Sequence, residues 1–179
     1  IIGDPDRLRA VAEDFIKHYE TRVAEGATVA GKAMFVCSNR NIAYDFYKIV
    51  KELRPEWTEK KICDDGVVLS EKDKKELKPM EKIKLVMTRN KDDEKDLFDM
   101  LGTKEDRKEF DRQFKNPKSN FKIAIVVDMW LTGFDVPELD TIYIDKPIQQ
   151  HTLIQTISRV NRVCEGKDKG LIVDYIGIK

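Results

Sequence analysis

The chain has 179 residues, 41% apolar and 37% charged, which is the composition of a folded protein with a heavily solvated surface. Basic and acidic residues balance at 33 each, so nucleic-acid binding would have to come from a local patch rather than from net charge. No apolar run approaches the ~18 residues of a membrane-spanning helix, the start is unlike a secretion signal, and the three cysteines form no Cys-x-x-Cys pair. These features predict a cytoplasmic protein, and the first residue, Ile1, suggests a segment of a longer chain.

The first half of the chain predicts two helices and two strands. Asp4 is a typical helix cap, and Asn39 is typical of a second helix start that Pro55 ends. Periodicity and composition then predict a helix from Pro5 towards Gly26, a strand over 32–38, a helix over 39–53 and a strand over 82–88.

The second half continues the alternation of helix and strand. Its predicted elements are one or two charged helices within 89–120, strands over 121–128 and 141–147, a helix over 151–164 and a strand over 169–177. The near-continuous apolar run 121–128 is typical of a strand covered on both faces. Without hairpin signals, the alternation predicts an α/β fold: a doubly wound, mostly parallel sheet with helices on both faces. We expect an N-terminal helix and connection over 1–30 and one α/β domain over 31–179.

The stretch "GATVAGKA", 26–33, resembles a phosphate-binding loop but fails in two respects. Ala33 stands where the loop needs a hydroxyl for magnesium. The stretch also follows a predicted helix and opens a strand, the reverse of the order that aims helix amides at a phosphate. We therefore expect no phosphate loop here.

The stretch "VVDMWLTGFDVP", 126–137, follows a buried strand. Gly133 frees the backbone shortly before Asp135, at the end of a strand where ligands bind in doubly wound sheets. Asp135 is either a ligand-binding acid or the cap of a tight connection, and local sequence leaves both open.

The stretch "LIQTISRVNRVC", 153–164, has two faces when set on a helix. One carries an apolar stripe, and the opposite one presents Gln155, Arg159 and Arg162 together. Two arginines one turn apart repel each other slightly unless an anion lies between them. The face is either ordinary solvated surface or an anion-binding site.

Together these segments resemble a known family. "KAMFVCSNRNIAYDFY", "DMWLTGFD" and "QTISRVNR" are similar, in that order, to motifs IV, V and VI of the second RecA-like motor lobe of superfamily 2 helicases and translocases. The likeness is narrower to the motor (R) subunit of type I restriction enzymes, and it runs from about Gly31 to Ile178. Many superfamily members have histidine or arginine where this chain has Gln155-Thr156.

The resemblance implies an ATP site shared between two lobes. A first lobe, absent from this chain, would hold the phosphate loop and Mg²⁺, while this lobe would supply Arg159 and Arg162 as cationic fingers. Gly133, Asp135 and Gln155 would complete the nucleotide contacts. No metal ligands are expected from this chain, and the isolated segment is expected to be inactive as an enzyme.

The resemblance also implies contacts to double-stranded DNA and to other proteins. Backbone phosphates would be held by Ser38, Asn39, Arg40, Thr88 and Arg89. The partners would be the first motor lobe and nuclease domain of the same full-length chain, and the methyltransferase and specificity subunits of a prokaryotic restriction complex. The alternatives are a motor lobe of another superfamily 2 branch, in repair or remodelling, and an interaction domain of this fold that does not hydrolyse ATP.

Overall fold

The computed structural model describes residues 1–131, 135–160 and 170–176, which form a sheet with helices packed on both faces. The strands are β1 (Lys32–Cys37), β2 (Ile83–Leu85), β3 (Ile123–Val126), β4 (Leu139–Asp145) and β5 (Leu171–Asp174). The helices are α1 (Pro5–Ala24), α2 (Arg40–Leu53), α3 (Glu71–Glu76), α4 (Lys95–Leu101), α5 (Lys104–Lys115) and α6 (Gln150–Val160). A 3-10 turn covers Pro55–Thr58.

The sheet has the strand order β2-β3-β1-β4-β5, and every neighbouring pair is parallel. This arrangement confirms the predicted doubly wound parallel sheet. β4 begins two residues before its predicted start, because a register shift between Lys32 and Ala33 of β1 lets Leu139 join the ladder. The charged segment 89–120 forms two helices, α4 and α5, on either side of Gly102 at φ 72°.

The two faces of the sheet form separate apolar cores, because alternate residues of a strand point to opposite faces. Phe35 of β1 packs in the core that α1 and α2 cover. Val36, the next residue, packs in the core that contains Phe114 of α5 and Val160 of α6. Both strand residues are fully buried.

Helix α1 is part of the first core. Its Phe15 ring lies edge-on to Tyr143 of β4 at 4.7 Å and to Phe35 of β1 at 5.2 Å between ring centroids. Asp4 caps the helix by accepting a hydrogen bond from the Asp6 amide. The predicted apolar face is buried except for Val23, which is 46% exposed in the last turn. No helix in the described ranges is both long and apolar enough to cross a membrane.

Candidate functional site

Parallel strands end on one side of the sheet, and we call this side the carboxyl edge. It comprises residues at or just beyond the ends of the strands: 38–40, 87–89, 127–130, 145–147 and 174–175. A cavity of about 330 Å³ opens here, lined by Arg40, Val86, Met87, Thr88, Val127, Asp128 and Met129. The cavity joins the start of α2 to the loops after β2 and β3. It therefore brings together two of the residues that the sequence predicted for DNA binding, Arg40 and Thr88.

Ser38 and Asn39 both make hydrogen bonds within the chain. The Ser38 hydroxyl donates to the backbone carbonyl of Asp145 at 3.0 Å, linking the ends of β1 and β4. Asn39 Oδ1 accepts from the Ile42 amide at 2.9 Å and caps α2, as the sequence predicted. Asn39 is nevertheless exposed. The cap uses only the side-chain oxygen, so the amide NH₂ group can still donate to a ligand.

Arg40 has a carboxylate partner that the sequence did not reveal. Its Nη2 donates to both oxygens of Asp93, at 2.8 and 2.7 Å, and its Nη1 donates to the Thr88 carbonyl. Burial would raise the pKa of Asp93, but the hydrogen bonds from Arg40 and from the Asn90 amide outweigh it and lower the pKa. Asp93 is therefore ionised at neutral pH and offsets the Arg40 charge.

Thr88 and Arg89 differ in how firmly they are held. Thr88 is exposed, whereas Arg89 is half-buried against α4. The Arg89 guanidinium carbon lies 3.9 Å from the Phe98 ring centroid, the geometry of a cation–π contact. Packing on an aromatic face still leaves guanidinium N–H groups able to reach an anion.

The loop after β3 meets the loop after β4. Lys146 donates to the Val127 carbonyl at 3.0 Å and to Asp128 Oδ1, so it bridges the two loops across the intervening strand β1. Trp130 adopts φ 69°, in the left-handed region, and stacks on Phe114 at 5.3 Å. Asp128 and Trp130, at the start of the stretch "DMWLTGFD", are thus held by Lys146 and by the second core. Sequence reasoning missed Lys146 because its partner is distant along the chain.

The predicted nucleotide residues lie only partly within the described ranges. Asp135 is exposed on the loop between β3 and β4, and Gln155 is exposed on α6. Gly133 and Arg162 lie outside the described residues, and so does the side chain of Arg159. The inward side of α6 carries Thr156 and Val160, each 1% exposed, with the Thr156 hydroxyl donating to the Thr152 carbonyl. Gln155 therefore lies on the solvent side of α6, as the helical spacing predicted.

A second unpredicted pair supports the carboxyl edge from α1. Arg7 donates to both carboxylate oxygens of Asp145, at 2.5 and 3.1 Å, and also to the carbonyls of Ile2 and Tyr175. Asp145 is fully buried at the end of β4. Its hydrogen bond raises the pKa of Arg7 above the usual value. The N-terminal helix is thus tied to the strand that leads into α6.

The carboxyl edge offers guanidinium, amide and hydroxyl donors. Guanidinium, amide and hydroxyl groups contact phosphate and ribose oxygens well. Within the described ranges, no three His, Cys, Asp or Glu side chains gather closely enough to hold a metal ion. The donors present at this edge therefore suit an anionic ligand such as a phosphate.

Solved structures of the same architecture include helicase motor domains. A fragment of an HsdR subunit, assigned to a type I restriction enzyme of Vibrio vulnificus YJ016, has a TM-score of 0.59 at 15% identity, over 96% of this chain and 28% of that chain. Domain 2 of the DEAD-box helicase Mss116p, bound to an RNA duplex, has a TM-score of 0.51 at 16% identity, over 95% and 49% of the two chains. Likeness at this identity shows the fold alone, which is that of a RecA-like helicase domain.

Sequence comparison then defines the family. The sequence model for domain 3 of type I restriction enzyme subunit R matches residues 29–177. The HindI endonuclease subunit of Haemophilus influenzae is 38% identical over 181 residues, covering 99% of this chain and 15% of that protein. The SauCOLORF180P endonuclease subunit of Staphylococcus aureus is 47% identical over 76 residues, 39% of this chain and 8% of that protein. The chain belongs to the type I restriction enzyme subunit R domain 3 family, and it spans about 15% of the length of its Haemophilus relative.

Proposed function

We propose that this chain is the second motor lobe of an ATP-dependent double-stranded DNA translocase within a type I restriction enzyme. The observation that carries the proposal is the convergence at the carboxyl edge. Arg40, Thr88 and Asp128 line one cavity there, and the loop after β4 leads from the same edge into α6. Ligands of doubly wound sheets bind at this edge.

For the nucleotide, the proposed division of labour is between two lobes. A first lobe would bind the phosphates and Mg²⁺ of ATP, whose γ-phosphoryl transfer to water supplies the free energy for movement. From this chain, Arg159 and Arg162 would stabilise the charge that develops on the transferred phosphoryl group. Exposed Asp135 and Gln155, with Gly133, would contact the rest of the nucleotide. The solvent-side position of Gln155 on α6 supports this assignment.

For DNA, the carboxyl edge supplies contacts suited to phosphates rather than bases. Arg40, Thr88 and the NH₂ group of Asn39 lie where β1 and β2 end, with Ser38 and Arg89 beside them. Hydroxyl, amide and guanidinium groups bind the backbone of any sequence, which a translocating enzyme requires. Arg40 would share its charge between Asp93 and a phosphate.

The assembly around this lobe follows from its family. The relatives are named as endonuclease subunits of type I restriction enzymes. We propose that a first motor lobe and a nuclease domain lie in the same full-length polypeptide. That polypeptide would act with methyltransferase and specificity subunits. Membership of this family favours the restriction branch over a repair or remodelling motor.

The decisive experiment is Arg162→Ala in the full-length motor subunit. If Arg162 stabilises transition-state charge, DNA-stimulated ATP hydrolysis should fall by roughly two to five orders of magnitude. ATP binding should change far less, since the contact is strongest in the transition state. Arg162→Lys should restore little activity, because an ammonium group lacks the planar fork of guanidinium.

The matched control is Arg112→Ala on the surface of α5, where Arg112 is 64% exposed and pairs with Glu109. This variant should hydrolyse ATP like the wild type. An Arg162→Ala enzyme with near wild-type hydrolysis would show that its helix face is ordinary solvated surface, and would favour the interaction-domain alternative.

A further inference from the structure

The edge of the sheet opposite the candidate site, where the strands begin, holds a larger cavity. We call it the amino-edge cavity; its volume is about 580 Å³. Its lining includes Val23, Val29, Asp64, Val67, Lys82 and Lys122. It lies beside the starts of β1, β2 and β3, so it is separated from the carboxyl edge by the length of the sheet.

The stretch "GATVAGKA" forms one wall of this cavity but is not arranged to hold a phosphate. The Gly31 amide donates to the Thr28 hydroxyl, and the Val29 amide donates to Asp140 Oδ2 at 3.1 Å. Lys32 is fully buried and donates to the Phe121 carbonyl at 2.6 Å. These amides and this ammonium group already have partners within the chain. They are therefore not available to donate hydrogen bonds to a phosphate.

Within the described ranges, the cavity lining contains one acid, Asp64, and the lysines Lys82, Lys118 and Lys122, of which Lys118 is paired with Asp73. Lys122 shares its ammonium group with the Pro117 carbonyl and with Asp64, whose Oδ2 is 3.8 Å away. Lys82 packs over the Trp57 ring at 5.2 Å, and no described carboxylate lies within ion-pairing distance of it. Burial lowers the pKa of both lysines; Asp64 opposes this effect at both without cancelling it, and Glu20 and Glu56 also oppose it at Lys82. An anionic group placed at the cavity would therefore stabilise the charged form of both lysines.

Exposed apolar side chains surround the same cavity. Val23, Val29 and Val67 are 46%, 39% and 39% exposed, and Val68, which follows Val67, is 88% exposed. These four are among the seven large apolar residues that are exposed in the described ranges. Apolar surface gathered at one concave place, with cations beside it, is typical of a protein-binding surface.

We propose that the amino-edge cavity is the docking surface for an acidic segment that carries apolar side chains and belongs to another part of the same R-subunit polypeptide. The carboxylates of that segment lie near Lys82 and Lys122, and its apolar side chains cover Val67 and Val68. Most of the Haemophilus relative lies outside the region matched here, which supplies the length for such a segment. Lys122 is only 7% exposed, so a single carboxylate-bearing side chain reaches it more readily than a phosphate of a bulky duplex; the surface therefore fits a peptide better.

This docking surface does not depend on the motor function proposed above. It concerns the opposite edge of the sheet and would hold for a lobe that does not hydrolyse ATP.

The test places the photoreactive residue p-benzoylphenylalanine at Val68 of the full-length protein. The expected result is an intramolecular crosslink to a segment outside residues 1–179 that contains Asp or Glu near the crosslinked residue. Crosslinks to added DNA, to a separate subunit or to a segment without acidic residues would overturn the proposal, and so would the absence of any crosslink.

Charge reversal tests the electrostatic half of the proposal in the same photoreactive protein. Lys82→Glu should reduce the crosslink yield about tenfold, because a complementary charge becomes a repelling one. Val67→Asp, at a partly exposed position, is the second variant should Lys82→Glu fail to fold. It should also reduce the crosslink yield, because it places a negative charge in the apolar part of the surface. The matched control Lys72→Glu, on α3 and 80% exposed, should leave the yield unchanged. Equal yields in the wild type and a folded Lys82→Glu or Val67→Asp variant would contradict the proposal.

Discussion

At the scale of single residues, Arg40 is held in place by the fold at the position proposed for a DNA contact. Its bidentate contact with Asp93 connects the start of α2 to the loop before α4. The two side chains are 30% and 10% exposed, so the pair is neither fully buried nor freely solvated. A DNA phosphate at the carboxyl-edge cavity would meet a guanidinium that is already oriented but partly neutralised.

We predict opposite effects for the two members of this pair in the full-length protein. Arg40→Ala should weaken DNA binding uniformly across sequences and reduce the slope of log affinity against log salt by about 1, since one phosphate contact is lost. Asp93→Asn should preserve or tighten DNA binding, because the Arg40 charge is then uncompensated. Fluorescence anisotropy at several salt concentrations measures both, with Arg112→Ala as the control. Unchanged salt dependence in Arg40→Ala would assign Arg40 to the fold alone.

Tyr47 provides a residue-scale prediction for pH. Burial raises its pKa to about 12, whereas an unfolded tyrosine ionises near pH ~10. Between these values the folded protein binds more protons than the unfolded one, so the contribution of Tyr47 to stability is constant below about pH 10 and declines from about pH 10 to 12. Tyr47→Phe should remove this decline. Urea unfolding of both proteins across this range gives the comparison, and identical slopes would show that Tyr47 ionises normally.

At the scale of elements, the contact between α1 and β4 stabilises the edge on which the site is built. Arg7 is the cation that compensates the buried Asp145 carboxylate, and Ser38 is bonded to the carbonyl of that same aspartate. Tyr175 adds a second link, since its hydroxyl donates to Asp14 at 2.6 Å. Helix α1 therefore secures the ends of β4 and β5 directly, and through Asp145 the end of β1, rather than only covering the apolar face.

We predict that Arg7→Ala lowers the free energy of unfolding by about 3 kcal/mol, because it leaves a buried carboxylate without its cation. Arg9, two residues along the same helix, pairs with Glu52 at the surface, where the side chains are 42% and 66% exposed. Arg9→Ala should therefore change stability by less than about 1 kcal/mol. Chemical denaturation of the two variants tests the contrast. Similar losses in both would mean that the Arg7–Asp145 pair contributes no more to stability than a surface ion pair.

At the scale of the whole molecule, the chain spans about 15% of the length of its Haemophilus relative. The described part of the chain contributes a carboxyl edge with cations, amides and one cavity, and no cluster of metal-binding side chains. The stretch that resembles a phosphate loop lies at the opposite edge of the sheet. There the Gly31 amide and the Lys32 ammonium group donate hydrogen bonds to other residues of the chain. Under the function proposed above, ATP hydrolysis would require the first motor lobe to face the carboxyl edge.

We predict that the isolated 179-residue chain folds but shows no ATP hydrolysis above background, with or without duplex DNA. A phosphate-release assay of the purified chain is sufficient, with the full-length protein as the positive control. DNA-stimulated turnover by the isolated chain that Lys32→Ala abolishes would contradict both this prediction and the structural role of Lys32.

The sequence by itself determined the architecture of this protein, because apolar periodicity and capping residues act over a few neighbouring positions. The apolar run 121–128 predicted a strand, and β3 lies within it. Asn39 was predicted to cap a helix, and it caps α2. The helical spacing within 151–160 predicted that Gln155 lies on the solvent side of α6, where it is exposed. Motif order then identified the family, as the match over 29–177 confirms.

Only the tertiary structure decided which charged groups meet. Arg40 and Asp93 are 53 positions apart, Arg7 and Asp145 are 138 apart, and Lys146 and Asp128 are 18 apart. With 66 charged residues in the chain, sequence allows very many such pairs, and none has a local signature. The amino-edge cavity likewise exists only because α1, the loop before β1 and the residues before β2 and β3 come together. Local periodicity sets each element, whereas the pairing of charges depends on which ends the sheet brings within a few ångströms of each other.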